Sequence, residues 1–494
     1  MSTQMIEKLR LVDFGEIDGY GDPNLERYFL DDGYWKKIIE SNIFFVVGKK
    51  GTGKSSIYRM IGKRGIEEGA IICNKDFGEF PFERLLQLND DSFAKPNQYQ
   101  TIWKNVLFNL FAQNIAKLPN ENNTHYQEIK KYVETYIGSV EDLHRQVISN
   151  TKKSGGSLLF NGFGLQKERN ISETYSRESE NLTLINSALG DLITNYLLTS
   201  SFQGKIIIQF DRLDDNYNQY QNVEEYYQAI ISLLKVVYAF NQSLREKHIN
   251  NAKVIVYIRS DIMRELALRD SESARWDDFR YDIIWSINNL QDWKSSNLLK
   301  MLEKRITSSS QQLENMTFHD VFCISEYELK QCDIRSRNFF KALILETLFR
   351  PRDLIKLCKT LQEEILRRGI FSRNVYKNAL KKYSNWLVNT ELANEINPVL
   401  GSDYKHVIEL LRLCGSVNMS VTSFTERYRS LKVQLKYNVL ELLEFLYNVG
   451  IIENTWFSNK EQKTMHRSIY RNEGDFDRNM KFRILPPVWR GLTV

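Results

Sequence analysis

The sequence predicts an α/β fold with a helical second half, and three observations carry that reading. Short continuous apolar runs at 43–47, 206–210 and 254–258 have the composition of strands buried on both faces. A long amphipathic stretch at 223–241 separates two of them, giving the strand, helix, strand alternation of a parallel sheet. From Leu290 onward the apolar residues recur at helical spacing, at 298–306, 339–349, 353–367 and 372–389, and strand signals fade.

Taken in order, Tyr28, Phe29, Trp35, Ile38 and Ile39 fall at near-helical spacing before a break at Ser41 and Asn42, a helix feeding the strand at 43–47. Gly48 ends that strand, 55–63 reads as a helix and 70–73 as a second strand. The chain then runs from 74 to 203 before the next strand signal, far longer than an ordinary connection. Helical periodicity at 99–117, 125–136 and 180–199 makes this an inserted helical subdomain. Within it, glycines flank short apolar runs at 154–164, which reads as a hairpin or a mobile loop. Gly162 and Gly164 lack the third glycine of a dinucleotide fingerprint and follow no strand. The tail places helices at 404–413, 420–428 and 438–449 ahead of a terminal hairpin at 451–457 and 482–485, the order of a winged helix.

Composition narrows the class. The chain has 494 residues, 42% hydrophobic and 26% charged, with only 8 Pro and 24 Gly, which excludes a fibrous chain and a largely disordered one. A net charge of +5 is too small to mark a nucleic-acid binder, so any basic face is local. Cys73, Cys323, Cys332, Cys358 and Cys414 are scattered without a CxxC pair, which argues against a zinc site or a disulfide framework and fits a reducing cytoplasm. Glu7, Lys8 and Arg10 interrupt the start of the chain, which does not read as a signal peptide, and no apolar stretch has the length of a membrane span.

The most specific motif is GKKGTGKS, residues Gly48, Lys49, Lys50, Gly51, Thr52, Gly53, Lys54 and Ser55, with Ser56 following. It fits GxxxxGK[ST] and lies between an expected strand and an expected helix, the context the motif requires. Glycines let the backbone wrap so that successive N–H groups point inward, and the helix opening at Lys54 adds its positive end. Lys54 is then suited to the β- and γ-phosphates of a nucleotide and Ser55 to Mg²⁺. The run at 206–210 ends in Asp211, the Walker B form, which makes Asp211 the expected metal residue. Many ATPases place a glutamate next; here Arg212 stands there, and carboxylates return only at Asp214 and Asp215. Either of these two is a candidate base for slow hydrolysis, and either equally fits a turn cap.

Two arginine positions complete the candidate set. Arg259 follows the strand at 254–258, at the sheet edge where α/β folds bind ligands, and serves as a γ-phosphate sensor or as a structural partner of Asp261 or Asp211. Arg350 and Arg352 flank Pro351 at the opening of a helix, positioned to reach a nucleotide from a lid or to remain solvated. The six histidines are scattered and form no ligand set. The resulting organisation is a P-loop NTPase domain at 1–290 with a helical insertion at about 75–203, a helical lid at 291–370 and a winged-helix-like domain at 371–494.

The order GKKGTGKSS, IIIQFDRLDD, VIVYIRSD and FRPRDLIKL resembles bacterial P-loop ATPases of the KAP and STAND type, within the wider AAA+ and origin-recognition-like group. The resemblance covers about 14–60 and 204–370, and more loosely the tail. It implies ATP and Mg²⁺ as cofactors, Lys54 and Ser55 on phosphate and Mg²⁺, Asp211 on Mg²⁺, Arg259 as sensor arginine and Arg350 or Arg352 as lid arginine. It further implies a nucleotide-controlled switch in conflict with phage, acting as a homo-oligomer with a separate effector protein. Arg264, Arg269, Arg275 and Arg280 are then candidates for completing a neighbour's site, or are solvated surface.

Three functions are open to test. The first is a slowly hydrolysing regulatory ATPase. The second is a DNA-binding ATPase whose tail cations Lys463, Arg467, Arg471, Arg478, Lys481, Arg483 and Arg490, interleaved with Tyr470, Phe476 and Trp489, track phosphates. The third, motivated by Arg212, binds nucleotide without hydrolysing it.

Overall fold

A computed structural model describes residues 2–77, 97–119, 122–137, 176–213, 223–285, 287, 290–460, 462–471 and 474–493. Contacts divide the chain into two compact units, one formed by Gly33–Lys49 with Ile57–Asp282 and the other by Met1–Asp32, Lys50–Ser56 and Ile283–Val494.

The first unit is α/β, as the sequence predicts. Its five strands are β1 (Phe45–Gly48), β2 (Ile71–Asp76), β3 (Ile206–Asp211), β4 (Ala252–Arg259) and β5 (Arg280–Asp282), in the order β2-β3-β4-β1-β5. Every neighbouring pair is parallel. β1 and β3 are buried along their whole length, which is why they read as unbroken apolar runs. β5 gave no such signal because Arg280, Tyr281 and Asp282 occupy a half-buried edge strand. It is held by its register on β1 and by the Phe44 N–H, which donates to the Phe279 carbonyl at 2.8 Å.

The helix Lys54–Glu67 follows β1. Gly62 and Gly65 on it meet β2, where a Cβ at Gly62 would stand 2.8 Å from Asn74 Nδ2 and one at Gly65 would collide with Ile72. The helices Gln100–Ala116, Thr124–Tyr132 and Ser176–Thr199 lie in the expected insertion, and Ile115, Ile129, Ile193 and Tyr196 join the same core as Phe210 and Val254. The insertion therefore adds to the core of the sheet instead of building its own. Its second helix passes into a π-turn at Val133–Ile137 where the sequence predicted continuous α-helix. The hairpin or loop expected at 154–164 lies outside the described residues. Lys253, buried on β4, donates to the carbonyls of Ile38, Ile39 and Ser41, tying the strand to the segment that precedes β1.

The second unit is mainly helical around one continuous core. Met5 and Leu9 of the helix Ser2–Leu11 enter that core with Leu298, Leu302 and Leu361. Gln362 Nε2 donates to the Leu9 and Val12 carbonyls, and Lys359 Nζ to Gly15 O. Met1–Asp32 thus belongs to one unit with Ile283–Val494, where the sequence reading puts it in the domain of the sheet. The expected lid and tail likewise share this core, since Leu354 and Leu357 belong to it together with Leu442 and Ile452. The helices Tyr404–Cys414, Val421–Ser430 and Val439–Asn448 precede an antiparallel sheet of β6 (Ile452–Ser458), β7 (Lys463–Arg467) and β8 (Lys481–Ile484), ordered β7-β6-β8. The sequence located β6 and β8; β7 was missed because Met465 is its one apolar residue and none of its five positions is fully buried. No helix among the described residues is long and apolar enough to cross a membrane.

Candidate functional site

Sheet topology sets out the sequence-predicted residues. β4 lies between β1 and β3, so Gly48, Arg259 and Asp211 end three adjacent parallel strands, with Gly48 in register with Arg259. Parallel strands put all three at the same edge of the sheet.

After Gly48 the chain turns through Gly51 at φ 76° and Gly53 at φ 98°, left-handed values that suit glycine, and the helix begins at Lys54. Gly51 has a second constraint: a Cβ there would stand 3.2 Å from Cβ of Arg352. The first helical turn carries no acidic residue that would cancel the positive end of the helix. Thr52 is buried, and its carbonyl accepts the Trp285 indole N–H at 2.8 Å. Ser56 lies against Gly19, where any added Cβ would collide with its hydroxyl. Lys50 Nζ pairs with Glu395 at 3.3 Å.

Asp211 is buried at the end of β3, in register with Asp76 of β2. Arg212 then takes a left-handed φ of 60°, and its Nη1 reaches Asp76 Oδ2 at 2.9 Å. The residue at the usual position of a catalytic glutamate is therefore turned into an ion pair on the neighbouring strand. Asp76 was legible only by extending β2 past the apolar part of its sequence. Asp214 and Asp215, the candidate bases, lie outside the described residues. Below this edge, Gln209 accepts the Tyr257 hydroxyl at 2.6 Å and donates to Asn74 Oδ1 at 2.8 Å, while Tyr58 meets Tyr257 edge-on at 5.5 Å. Burial pushes the Tyr257 hydroxyl well above its ordinary pKa, so it acts as a neutral donor.

Arg259 forms a two-pronged pair with Asp261, at 3.0 and 2.6 Å. Arg269 is held by Glu224 and Glu265, and Arg280 by Asp277 and Asp282. Arg264 and Arg275 are exposed.

The two lid arginines have different surroundings. Arg350 is the N-cap of the helix Pro351–Arg368, is wholly buried, and grips Asp353 through Nε–Oδ2 at 2.5 Å and Nη2–Oδ1 at 2.9 Å. Its guanidinium also stands over the Tyr470 ring and donates to Lys50 O at 3.4 Å. Arg352 keeps 23% of its side chain exposed and pairs with Glu391 at 3.1 Å. Burial acts to raise the Glu391 pKa, but Arg350, Arg352 and Lys50 together hold it below the usual range. Glu391 and Glu395 were not found from the sequence, because two carboxylates four apart on a helix read as ordinary surface.

The tail cations differ in their surroundings. Arg467 lies near Asp477, Arg483 binds Glu453, Arg490 binds Glu346, and Arg471 lies over Phe349. Lys463, Arg478 and Lys481 are exposed, while Tyr470 is buried and Phe476 and Trp489 pack on the core. No group of three or more metal-ligating side chains occurs among the described residues.

Residues 296–391 match the FunZ-associated C-terminal helical domain, a stretch that contains Arg350, Arg352, Asp353 and Glu391. The chain is also 23% identical over 522 residues to the putative transposon gamma-delta 80.3 kDa protein of Escherichia coli (strain K12), an alignment covering 97% of this chain and 67% of that protein.

Proposed function

We propose that this chain is a nucleotide switch that binds Mg-ATP at its glycine loop, hydrolyses it slowly, and passes the nucleotide state to an assembly or to a separate effector protein. The observation that carries the reading is the loop itself, with left-handed Gly51 and Gly53 between a buried strand and a helix beginning at Lys54. Such a loop turns backbone N–H groups inward beside a helix N-terminus, an arrangement suited to a polyphosphate. In this reading Lys54 holds phosphate, while Ser55 and Asp211 supply oxygen ligands to Mg²⁺, which favours a few carboxylate and hydroxyl ligands completed by water. Of the lid arginines, Arg352 is the one suited to a phosphate oxygen, because Arg350 is sealed from solvent and already paired. Arg212, committed to Asp76, offers no general base, which fits slow turnover. A setting in phage defence and a homo-oligomer rest on the resemblance of the motif order alone.

The test is ATP binding and hydrolysis by the purified chain with and without Mg²⁺, beside Lys54→Ala. The variant is expected to lose at least about tenfold in affinity, since Lys54 makes a charge-assisted contact. Equal affinity in the two proteins would reject the site. Binding without turnover would instead identify a non-hydrolysing scaffold.

A second reading, DNA binding, draws on exposed Arg429 in the last turn of the helix Val421–Ser430, on exposed Lys432 and Lys436 after it, and on similarity to a protein described as a putative transposon product. Against groove insertion by the helix Val439–Asn448, the charged residues on its exposed face are Glu441 and Glu444. Stimulation of ATP turnover by duplex DNA, lost steeply with salt, would favour this reading.

A further inference from the structure

The helix Arg373–Trp386 passes through a π-turn, Leu387–Leu392, into the helix Ala393–Leu400. One extra residue in a helical turn rotates every later residue of the helix by about 100°, and π-turns recur at functional sites. Here the turn sets Glu391 and Glu395, four residues apart, on one buried face. Their partners belong to the lid arginines and the glycine loop. Glu395 lies 3.3 Å from Lys50 Nζ and 3.8 Å from Arg350 Nη1; Glu391 lies 3.1 Å from Arg352 Nη1 and 3.5 Å from Arg350 Nη2. Arg350 in turn donates to the Lys50 carbonyl at 3.4 Å, and Arg352 packs on Gly51. Lys50, Arg350 and Arg352 thus balance Asp353, Glu391 and Glu395.

Burying carboxylates at this density is costly unless each is paired. A cheaper core would use apolar residues at 391 and 395, as the flanking Leu392 and Ile396 already do. What the carboxylates add is a directional hold on a loop that has two left-handed glycines and therefore little stiffness of its own.

We propose that Glu395, through Lys50, and Glu391, through Arg352 and Arg350, are positioning residues that fix the glycine loop in its phosphate-ready shape. The inference rests on the proposed nucleotide reading for its purpose, but not for its test. The loop is anchored from the C-terminal side of the chain, so a change in the π-turn reaches the loop by way of these pairs.

The experiment is amide hydrogen exchange of the nucleotide-free full chain, comparing wild type with Glu395→Gln, Lys50→Met and the double variant. Exchange at residues 49–55 is expected to rise at least about tenfold in each single variant and no further in the double, because both remove one pair. Amides of the helix Pro351–Arg368 should be unchanged, which separates loosening of the loop from general unfolding. Unchanged loop exchange, or effects of the two substitutions that multiply, overturns the proposal. In parallel, ATP affinity is expected to fall in Glu395→Gln with thermal stability nearly kept. Should wild type bind no ATP, the nucleotide reading fails while the exchange result still decides the positioning role.

Discussion

Arg212 and Asp76 join the ends of two adjacent parallel strands, with Nη1 of the arginine 2.9 Å from Oδ2 of the aspartate and the arginine backbone in the left-handed region at φ 60°. The pair is about one-third exposed at the arginine and one-quarter at the aspartate, so water screens it and its worth is about 0 to 1 kcal/mol. The left-handed backbone costs a non-glycine residue about 1 to 2 kcal/mol. Arg212→Gly is therefore expected to be near neutral and Arg212→Ala distinctly less stable, since alanine loses the pair and keeps the strain. Urea denaturation of both variants checks the order; alanine at least as stable as glycine would refute it.

Beneath the strand ends, Tyr257 and Gln209 satisfy one another in a fully buried place. Tyr257→Phe should lower stability by about 1 to 3 kcal/mol, because it strips a donor from a buried amide oxygen. Gln209→Leu should cost a similar amount, and the double variant less than the sum. Equilibrium unfolding of the three variants tests this coupling.

Arg350 is the most consequential charge in the second unit. Arg350→Ala leaves Asp353 and its neighbours buried without their counter-ion and is expected to lose about 3 to 5 kcal/mol. Arg350→Met combined with Asp353→Leu should be milder than Arg350→Ala, since no uncompensated carboxylate remains at 353. A double variant less stable than the single would show that the other contacts of Arg350, to Glu391 and Lys50 O, dominate.

Lys253 makes stability depend on pH. Burial lowers its pKa from 10.5 to about 7, so between those values the unfolded chain binds a proton that the folded chain has released. Stability from this group therefore rises with pH across that window, by up to about 1.4 kcal/mol per unit, and the penalty is fully present below pH 7. The carbonyls of Ile38, Ile39 and Ser41 favour the ammonium form and will reduce the slope. The difference in unfolding free energy between wild type and Lys253→Met, followed from pH 7 to 9, should grow in favour of wild type. A flat difference would show that Lys253 stays charged.

If Ser55 and Asp211 hold Mg²⁺, Ser55→Ala and Asp211→Asn should each raise the Mg²⁺ concentration needed for half-maximal ATP turnover while leaving metal-free ATP binding nearly intact. Titration of Mg²⁺ at fixed ATP is the measurement, and an unchanged midpoint in both variants would remove these residues from the metal site.

The sequence by itself determined the elements whose residues face one environment throughout. β1, β3 and β4 are buried on both faces, so their apolar runs were legible, as were the helix after Gly53 and the one opening at Pro351. The candidate loop was legible too, because glycine spacing records a backbone requirement directly. Tertiary structure decided the rest. Arg350 and Arg352 sit two residues apart in one motif, yet packing seals one from water and leaves the other partly exposed. Of the tail cations that looked like a phosphate track, Arg467, Arg483 and Arg490 face Asp477, Glu453 and Glu346, while Lys463, Arg478 and Lys481 are exposed. Glu395 meets Lys50 across more than 340 positions of sequence. Local pattern reports which way a side chain faces, whereas charge pairing depends on which distant residue arrives opposite it, and only the folded chain brings the two together.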